Sequence, residues 1–308
     1  MLGIGSGRNS LGLMWATLKS LLPGRADYSA LPRTWKSDLL AGLTVGIVAL
    51  PLALAFGVSS GVGAEAGLIT AVVAGFIAAV FGGSNVQVSG PTGAMVVVLA
   101  PIVASHGAGS VIIVGLMAGV IVLLLGLFRL GRSVSFIPWP VIEGFTLGIA
   151  IIIFVQQIPA AVGSPKFAES TNAVISGFNA IFAANVDLAL WSLGAVLIVA
   201  LIMVVTPKFI PVVPGSIIGI IVITVVAELT GSPLVRIGEL PSSLGMPSFP
   251  DFAGVKVGEL IVPAIAVAAL AAIESLLSAR VAASMANTGV FNPDRELVGQ
   301  GLASVGSA

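Results

Sequence analysis

The chain has 308 residues, no cysteine and a formal net charge of zero. Charged residues make up only 8% of it and hydrophobic residues 57%, with a mean hydropathy of +1.14, which predicts an integral membrane protein. The missing cysteines exclude disulfides and thiolate metal sites or nucleophiles, and the balanced charge offers no polybasic surface for nucleic acid.

The first apolar run begins only after about 38 residues, and this leading segment is basic. No small-residue cleavage site follows the first apolar run, so the pattern is not that of a cleavable signal peptide. We expect residues 1–37 to be a cytoplasmic N-terminal segment and residues 38–308 to form a transmembrane domain. The cationic side chains of the leading segment are Arg8, Lys19, Arg25, Arg33 and Lys36.

Apolar segments recur along the rest of the chain, and their length and apolar density predict helices. The 38 glycines, together with many alanines and serines, permit helices to pack closely in lipid. The sequence therefore predicts an all-α polytopic membrane protein. We place its membrane segments at about 39–57, 66–82, 92–105, 110–128, 138–157, 187–206, 212–229, 260–280 and, beginning, 295–308.

The segment at 92–105 is too short to cross a bilayer alone. It has about 13 residues, whereas a helical crossing needs roughly 20. Before it, Asn85–Ser89 alternates polar and apolar residues as a short strand does. Gly-Pro then breaks this run, with Ser89 suited to cap a helix and Pro91 to begin one. The sequence predicts a short strand and a half-helix at 85–104.

Non-helical backbone at membrane depth is tolerated only where protein buries it or a cavity wets it. A half-helix that starts there points free N–H groups and its positive dipole end inward, which favours an anion. The alternative is an ordinary cytoplasmic turn. Counting segment 92–105 as a crossing places ten of the thirteen Lys and Arg residues inside, whereas omitting it moves Arg129 and Arg132 outside. The charge distribution therefore favours the composite crossing.

Two of the thirteen acidic residues lie in apolar surroundings. Glu143 follows the interfacial sequence Pro-Trp-Pro and is expected near the headgroups. Glu274 is deeper, roughly 9 Å along a helix from Arg280, and an ionisable group there usually faces a cavity, binds an ion or relays a proton. Ser278 lies one turn on, so carboxylate and hydroxyl can share one cation. The alternative is a neutral glutamate bonded to a backbone carbonyl.

Catalytic constellations are not expected. His106, the only histidine, lies in a short turn between segments, and Ser89 has no base at membrane depth. We therefore do not expect an enzyme. A purely structural multispan protein is not expected either, because it would account neither for the broken crossing nor for Glu274.

Several stretches, in this order along the chain, resemble the SulP family of sulfate, bicarbonate and related anion transporters. The resemblance runs from about residue 31 to the end, and the motifs are specific in combination. They fit the nucleobase permeases, which share the fold, less well. The stretches are Asp38–Pro51, Phe81–Ser84, Gln87–Ala94, Pro140–Ala150, Ala272–Ser278 and Asn292–Gly301.

The resemblance implies a fold of seven plus seven inverted helices, of which this chain holds the first repeat and the start of the second. It implies core-type regions at 38–128 and 258–308 and a gate-type region at 138–230. Helices ten to fourteen and the STAS domain that many members carry lie outside the 308 residues. We therefore expect a fragment, truncated after about helix nine begins, that does not transport alone.

In the family, the substrate lies between the starts of half-helices three and ten. Carried over, the resemblance implies a substrate site formed by Ser89, Gly90, Thr92, Gly93 and Ala94, with Leu52 and Phe56 of the first helix. Many members have glutamine at the position of Leu52.

The acidic residue of the family's eighth helix matches Glu274. Sodium-coupled bicarbonate members carry an aspartate there, with a threonine one turn on, where this chain has Glu274 and Ser278. The resemblance therefore implies a coupling-ion site at these two residues, for sodium or for a proton, with no other cofactor or metal.

The predicted function is secondary active transport of an inorganic anion, first sulfate, by alternating access with cation coupling. Sodium- or proton-coupled transport of bicarbonate or a dicarboxylate is the alternative, and a channel-like or sensory membrane protein is the alternative from another class. The expected partners are a small inorganic anion and the lipid bilayer, with no nucleic acid and a homodimer left open. The expected location is the plasma (inner) membrane, with a cytoplasmic N-terminus.

Overall fold

The computed structural model describes residues 19–136, 138–164, 173–210, 215–236, 256–285 and 291–308. The chain divides into two compact units. The first comprises residues 1–39, 53–139 and 241–308, and the second comprises residues 40–52 and 140–240. The long first helix, α1 (Leu31–Ser60), contributes to both units.

In the first unit, α2 (Ala64–Phe81) is followed by α3 (Gly93–His106) and α4 (Ser110–Leu127), and later by α9 (Val257–Met285) and α10 (Pro293–Ser307). A 3₁₀ helix at Leu130–Phe136 follows α4. The second unit holds α5 (Trp139–Ala161), α6 (Ala173–Phe182), α7 (Val186–Phe209) and α8 (Gly215–Thr230). No strand occurs among these described residues.

Five helices are long and apolar enough to cross a membrane: α1, α2, α4, α7 and residues Val257–Ala283 of α9. Helix α3 has only 14 residues, so the half-length helix predicted at this position is confirmed. Other predicted segments match their helices to within a few residues, except that α1 begins eight residues before the predicted residue 39. Helix α6 was not predicted because its ten residues are too few for a crossing.

The predicted strand at Asn85–Ser89 is wrong. A strand needs a ladder partner, and the described residues offer none. Instead, the Ser84 hydroxyl accepts hydrogen bonds from the backbone N–H groups of Val86 (3.4 Å) and Gln87 (3.2 Å), which bends the chain. Residues 82–92, which we call the extended segment, are therefore irregular backbone between α2 and α3.

The core of the first unit lies where α4, α9 and α10 meet. Its largest fully buried side chains are Ile113, Val114 and Val122 of α4, Leu260 of α9 and Leu297 of α10. Burying them in a close-packed interior is favoured by dispersion between well-fitted side chains.

Glycines let α10 approach its neighbours at backbone distance. A Cβ on Gly301 would lie 2.5 Å from the backbone nitrogen of Leu123 in α4, and one on Gly299 would lie 2.7 Å from the Cα of Gly82. On α4, a Cβ on Gly126 would lie 2.8 Å from the backbone nitrogen of Val298. Small residues thus place α10 against both α4 and the start of the extended segment, as close packing in lipid requires.

The chain before α1 is tied to the same region. Arg295 of α10 donates to Asp27 (2.9 Å), and its Nε donates to the carbonyl of Phe81 (3.4 Å). The backbone N–H of Gly24, followed by Arg295, holds the pKa of Asp27 below its ordinary value. Tyr28 donates to the carbonyl of Val80 (3.4 Å), so the segment before α1 packs at the end of α2.

In the second unit, α7 packs on α8 through small residues as well. A Cβ on Gly219 would lie 3.0 Å from the Val199 side chain, and one on Gly215 would lie 2.9 Å from the Cα of Met203. The outer side of α7 exposes large apolar side chains, including Leu197 (69% exposed) and Leu201 (64%). An apolar outer face of this kind suits contact with lipid rather than water.

We predict that Gly301→Ala destabilises the protein whereas Gly194→Ala does not. The new methyl at 301 meets the backbone of Leu123, and overpacking of this kind typically costs about 1–3 kcal/mol. Gly194, inside α7, has no heavy atom within 4 Å of its Cβ position, so the better helix propensity of alanine should dominate. Unfolding in detergent would measure both changes, and equal stabilities would contradict the packing described here.

Candidate functional site

The start of α3 is a helix end with free donors. Its N-cap, Thr92, has extended backbone (φ −119°, ψ 149°), and the Thr92 side chain makes no capping hydrogen bond. The N–H of Met95 donates to the carbonyl of Thr92 (3.2 Å), whereas the first N–H groups of a helix have no intrahelical acceptor, so Gly93 and Ala94 hold the donors that remain for a ligand. The helix begins at Gly93, so the prediction that Pro91 begins it with Ser89 as cap is wrong.

Ser89 instead bonds to another helix. Its hydroxyl donates to Oε1 of Gln300 in α10 over 3.1 Å. An N-cap must lie directly before the first turn, and the three residues after Ser89 are still non-helical. The hydroxyl therefore fixes the extended segment to α10 rather than capping α3.

Three polar residues spaced four apart form a row at the start of helix α10. They are its N-cap Asn292 and, inside the helix, Glu296 and Gln300, and we call them the α10 polar row. The N–H of Asn292 donates to the carbonyl of Gly83 (2.9 Å), and the N–H of Gly83 donates to Oε2 of Glu296 (2.8 Å). Residues four apart lie on one face of a helix. One face of α10 therefore holds both ends of the stretch from Gly83 to Ser89.

Two side chains of the α10 polar row, those of Asn292 and Glu296, are held in place by further hydrogen bonds. The Asn292 side chain caps α10 by accepting the N–H groups of Asp294 and Arg295, both at 3.1 Å. Ser275 of α9 donates to Oε1 of Glu296 over 2.9 Å. Because Glu296 is buried, with 4% of its surface exposed, these donors compensate for removing its carboxylate from water.

Glu274, the predicted coupling residue, lies in contact with the start of α3. The hydroxyl of Thr92 donates to Oε2 of Glu274 over 2.8 Å, and Glu274 is half-buried. The structure thus brings together one residue predicted for the substrate and one predicted for the coupling ion. Ser278, the other residue predicted for the coupling ion, is exposed one turn further along α9. The hydrogen bond that the Glu274 carboxylate accepts comes from Thr92 and not from Ser278.

The other predicted substrate residues differ in exposure and in the unit to which they belong. Gly90 is exposed and Gly93 half-buried, whereas Ala94 is buried at 3% exposure. Phe56 belongs to the first unit and is half-buried. Leu52 belongs to the second unit and is 45% exposed.

Two further residues considered in the sequence are not part of the start of α3. Glu143 is exposed on α5, in the second unit. The Nε2 of His106, at the far end of α3, lies 3.5 Å from the carboxylate of Glu259, and both side chains are partly solvent-exposed. Neither position contradicts the peripheral location predicted for these residues.

A cavity of about 550 Å³ lies beside the extended segment, within the first unit. Ser89, Gly90 and Pro91 form part of its wall, and Gln300 and Ser304 of α10 form another part. Its remaining lining is mostly apolar and comes from α2, α3, α4 and α9, from the loop residues Val62, Ala108 and Gly109, and from the last residues of the given sequence, including Ser307 and Ala308. No charged side chain lines it among the described residues.

Sequence reasoning missed the α10 polar row as a functional element. The signal was present as an Asn-x₃-Glu-x₃-Gln spacing, which places three hydrogen-bonding side chains on one helix face. The partners of Glu296 and Gln300 in the extended segment could not be read from the sequence because about 200 residues separate them. Among the described residues, no group of three or more His, Cys, Asp or Glu side chains is arranged to hold a metal.

The sequence profile of the sulfate permease family matches residues 35–308. A curated relative named "Putative sulfate transporter YvdB", from Bacillus subtilis strain 168, is 38% identical over 282 residues, covering 88% of this chain and 52% of that protein. The bicarbonate transporter BicA of a Picosynechococcus strain is 35% identical over 286 residues, covering 89% and 50%. The chain therefore spans about half the length of the curated relatives it matches.

Solved structures show the same fold. The transmembrane domain of a cyanobacterial bicarbonate transporter BicA aligns with a TM-score of 0.77 at 33% identity, covering 89% of this chain and 72% of that one. The murine anion transporter Slc26a9 in its inward-facing state aligns with a TM-score of 0.79 at 17% identity, covering 95% and 53%. The predicted fold class is confirmed. Because the relatives are named as transporters, the expectation that this is not an enzyme is confirmed as well.

We predict that Thr92→Val destabilises the protein and that Thr92→Ser does not. Valine keeps the shape but removes the donor to Glu274, and an unpaired, partly buried acceptor costs about 1–3 kcal/mol. Serine keeps the hydroxyl and serves as the matched control. Unfolding of the full-length protein in detergent measures the difference. A valine variant as stable as the serine variant would show that the hydrogen bond between Thr92 and Glu274 contributes nothing to the fold.

Proposed function

The chain belongs to the sulfate permease family, and on that basis we propose that the full-length protein is a secondary transporter of a small inorganic oxyanion, with sulfate as its first substrate. The proposal is supported above all by the start of α3, an uncapped half-length helix entered from irregular backbone. Its free N–H groups and dipole attract negative charge of any shape. Relatives named for sulfate and for bicarbonate agree with a site that recognises small oxyanions.

Bicarbonate is the second candidate. Both a relative at 35% identity and a solved transmembrane domain at 33% identity are bicarbonate transporters. Backbone donors at a helix start respond to charge more than to the identity of the central atom, so this geometry accommodates either oxyanion. A dicarboxylate remains the third substrate class to test.

For cation coupling, the proposal rests on Glu274. Among the described residues no cationic side chain pairs with its carboxylate, and its hydrogen-bond partner is the Thr92 hydroxyl at the start of α3. A sodium ion or proton at Glu274 would offset its charge next to the anion, and opposite charges attract strongly where water is scarce. Uptake of the anion would thereby be favoured together with uptake of the cation.

The proposed setting is the plasma (inner) membrane, with the N-terminus in the cytoplasm. The multispan character is established by the family and by the apolar helices. The orientation is supported by the sequence-based topology, which with a cytoplasmic N-terminus puts ten of the thirteen Lys and Arg residues on the inside. The division into core-type and gate-type regions and a homodimeric assembly stay predictions.

The proposed function is tested by uptake into vesicles containing the full-length protein. We expect saturable uptake of labelled sulfate that unlabelled sulfate on the opposite side accelerates, since a carrier exchanges its substrate. Parallel assays with bicarbonate and succinate rank the substrates. Flux of sulfate that is neither saturable nor accelerated by countertransport would indicate a channel and overturn the proposal.

We predict that Glu274→Gln abolishes gradient-driven accumulation of the anion. Glutamine keeps the shape and can still accept the hydrogen bond from Thr92, but it has no charge for a cation to offset. Passive anion exchange should survive because the donors of α3 are unchanged. Glu143→Gln, at an exposed position on α5, is the control and should accumulate anion as the wild type does. Accumulation by Glu274→Gln vesicles under sodium and proton gradients equal to the wild type's would show that Glu274 has no part in coupling.

A further inference from the structure

The far end of α3 meets the start of α9 through polar and charged side chains. The Nε2 of His106, the last residue of α3, lies 3.5 Å from Oε2 of Glu259. Oε1 of the same carboxylate accepts from Nζ of Lys256 over 3.0 Å. On the other side of the ring, Nδ1 of His106 lies 2.7 Å from the hydroxyl of Ser105. In the part of the chain that the structure describes, Glu259 and Lys256 are the charged side chains that ion pairs connect to His106.

The hydrogen bonds of Ser105 fix the position of one imidazole proton. The Ser105 hydroxyl lies 2.8 Å from the carbonyl oxygen of Pro101, which can only accept, so the single hydroxyl proton goes to Pro101. Nδ1 of His106 must then carry a proton and donate it to the Ser105 oxygen. In a neutral imidazole the lone pair of Nε2 would face the Glu259 carboxylate, which is repulsive. In an imidazolium the same contact joins opposite charges.

The end of α3 favours the same charge state. The last carbonyl groups of a helix carry a partial negative charge, which stabilises a cation in the last turn. His106 occupies the last position of α3 and is the only basic residue in the sequence of this helix. The Ser105 oxygen, the Glu259 carboxylate and the helix end therefore all favour an imidazolium over a neutral imidazole.

This contact has a counterpart at the other end of α3. There, Thr92, the N-cap of α3, donates to Glu274 of α9. Fourteen residues separate Thr92 from His106, and fifteen separate Glu259 from Glu274, so both spans are roughly 21–23 Å along a helix. The two helices therefore run antiparallel, with a side-chain contact at each end. Both contribute to the apolar cluster in between, which includes Ile102, Ala264 and Ala268.

We propose that His106 and Glu259 form a pH-responsive clasp that holds the far end of α3 on α9. The clasp is closed while the imidazole is protonated and opens when it loses the Nε2 proton. Histidine changes its charge between pH 5 and 8, whereas exposed carboxylates and ammonium groups keep theirs. The contribution of the clasp is therefore present at acid pH and is lost as the pH rises through this range. The inference rests on contacts within the first unit and is independent of the proposed function.

A thiol placed beside the clasp measures how firmly the end of α3 is held. Ile102, one turn before His106, is 6% exposed, and the 308 residues contain no cysteine. In the full-length protein, with any cysteines beyond these residues replaced, a thiol from Ile102→Cys reacts with a methanethiosulfonate reagent only when this part of α3 opens. His106→Gln keeps a polar side chain that cannot be protonated. Comparing the rates with and without His106→Gln at one pH cancels the ionisation of the thiol itself.

We expect His106→Gln to accelerate the modification at least threefold at pH 5.5 and less than 1.5-fold at pH 8.5. In a Glu259→Gln background, His106→Gln should change the rate less than 1.5-fold at either pH, because the negative charge that closes the clasp is gone. Lys256→Gln is the matched control. It removes the other cation from the same carboxylate but leaves the contact with His106, so the threefold effect at pH 5.5 should persist.

Other results would overturn the clasp. Equal acceleration at both pH values would show that His106 acts by packing rather than by charge, and no acceleration at either would show that α3 is held without it. An effect that survives Glu259→Gln undiminished would show that Glu259 is not the partner. Should Ile102→Cys not fold, unfolding in detergent gives the same comparison. His106→Gln should then cost more stability at pH 5.5 than at pH 8.5, and an equal loss at both would contradict the proposal.

Discussion

Eleven residues of irregular backbone between two apolar helices set the main constraint on this protein. Backbone N–H and C=O groups removed from water must find partners, and an extended segment cannot supply them internally as a helix does. The α10 polar row supplies partners for the backbone of Gly83, whose carbonyl accepts from Asn292 and whose N–H donates to Glu296, and Gln300 holds the segment through the side chain of Ser89. This helix face therefore holds both ends of the stretch from Gly83 to Ser89, which leads into α3.

Glycine makes the contact between α10 and the segment geometrically feasible. A side chain on Gly83 would collide with the carbonyl of Asn292, and a side chain on Gly299 would collide with the backbone of Gly82. Gly301 meets the backbone of α4 on another side of the same helix. Small residues in membrane helices are usually explained by helix–helix packing. Here they also bring a helix within hydrogen-bond distance of non-helical backbone.

The sequence was sufficient for the helices and for the half-length of α3, because both follow from counting apolar residues against the thickness of a bilayer. It also identified Glu274, since a carboxylate among alanines is costly without a purpose. It failed for Asn85–Ser89, where an alternating pattern predicted a strand although none of the residues that the structure describes forms a ladder with it. It also missed the roles of Glu296 and Gln300, because alternation and spacing describe one element whereas these bonds join elements about 200 residues apart.

The two glutamates that accept hydrogen bonds from the extended segment differ in their remaining capacity to accept further bonds. Glu296 is buried, and its two oxygens accept from the Gly83 backbone and the Ser275 hydroxyl, so its binding capacity is used in holding the fold. Glu274 is half-buried, and within the part of the chain that the structure describes it accepts one hydrogen bond, from Thr92. A carboxylate has about four lone-pair sites, so Glu274 retains acceptor capacity that a cation or proton can take up. Because its one bond ends on the N-cap of α3, a change in its charge acts directly on the helix start proposed to hold the anion.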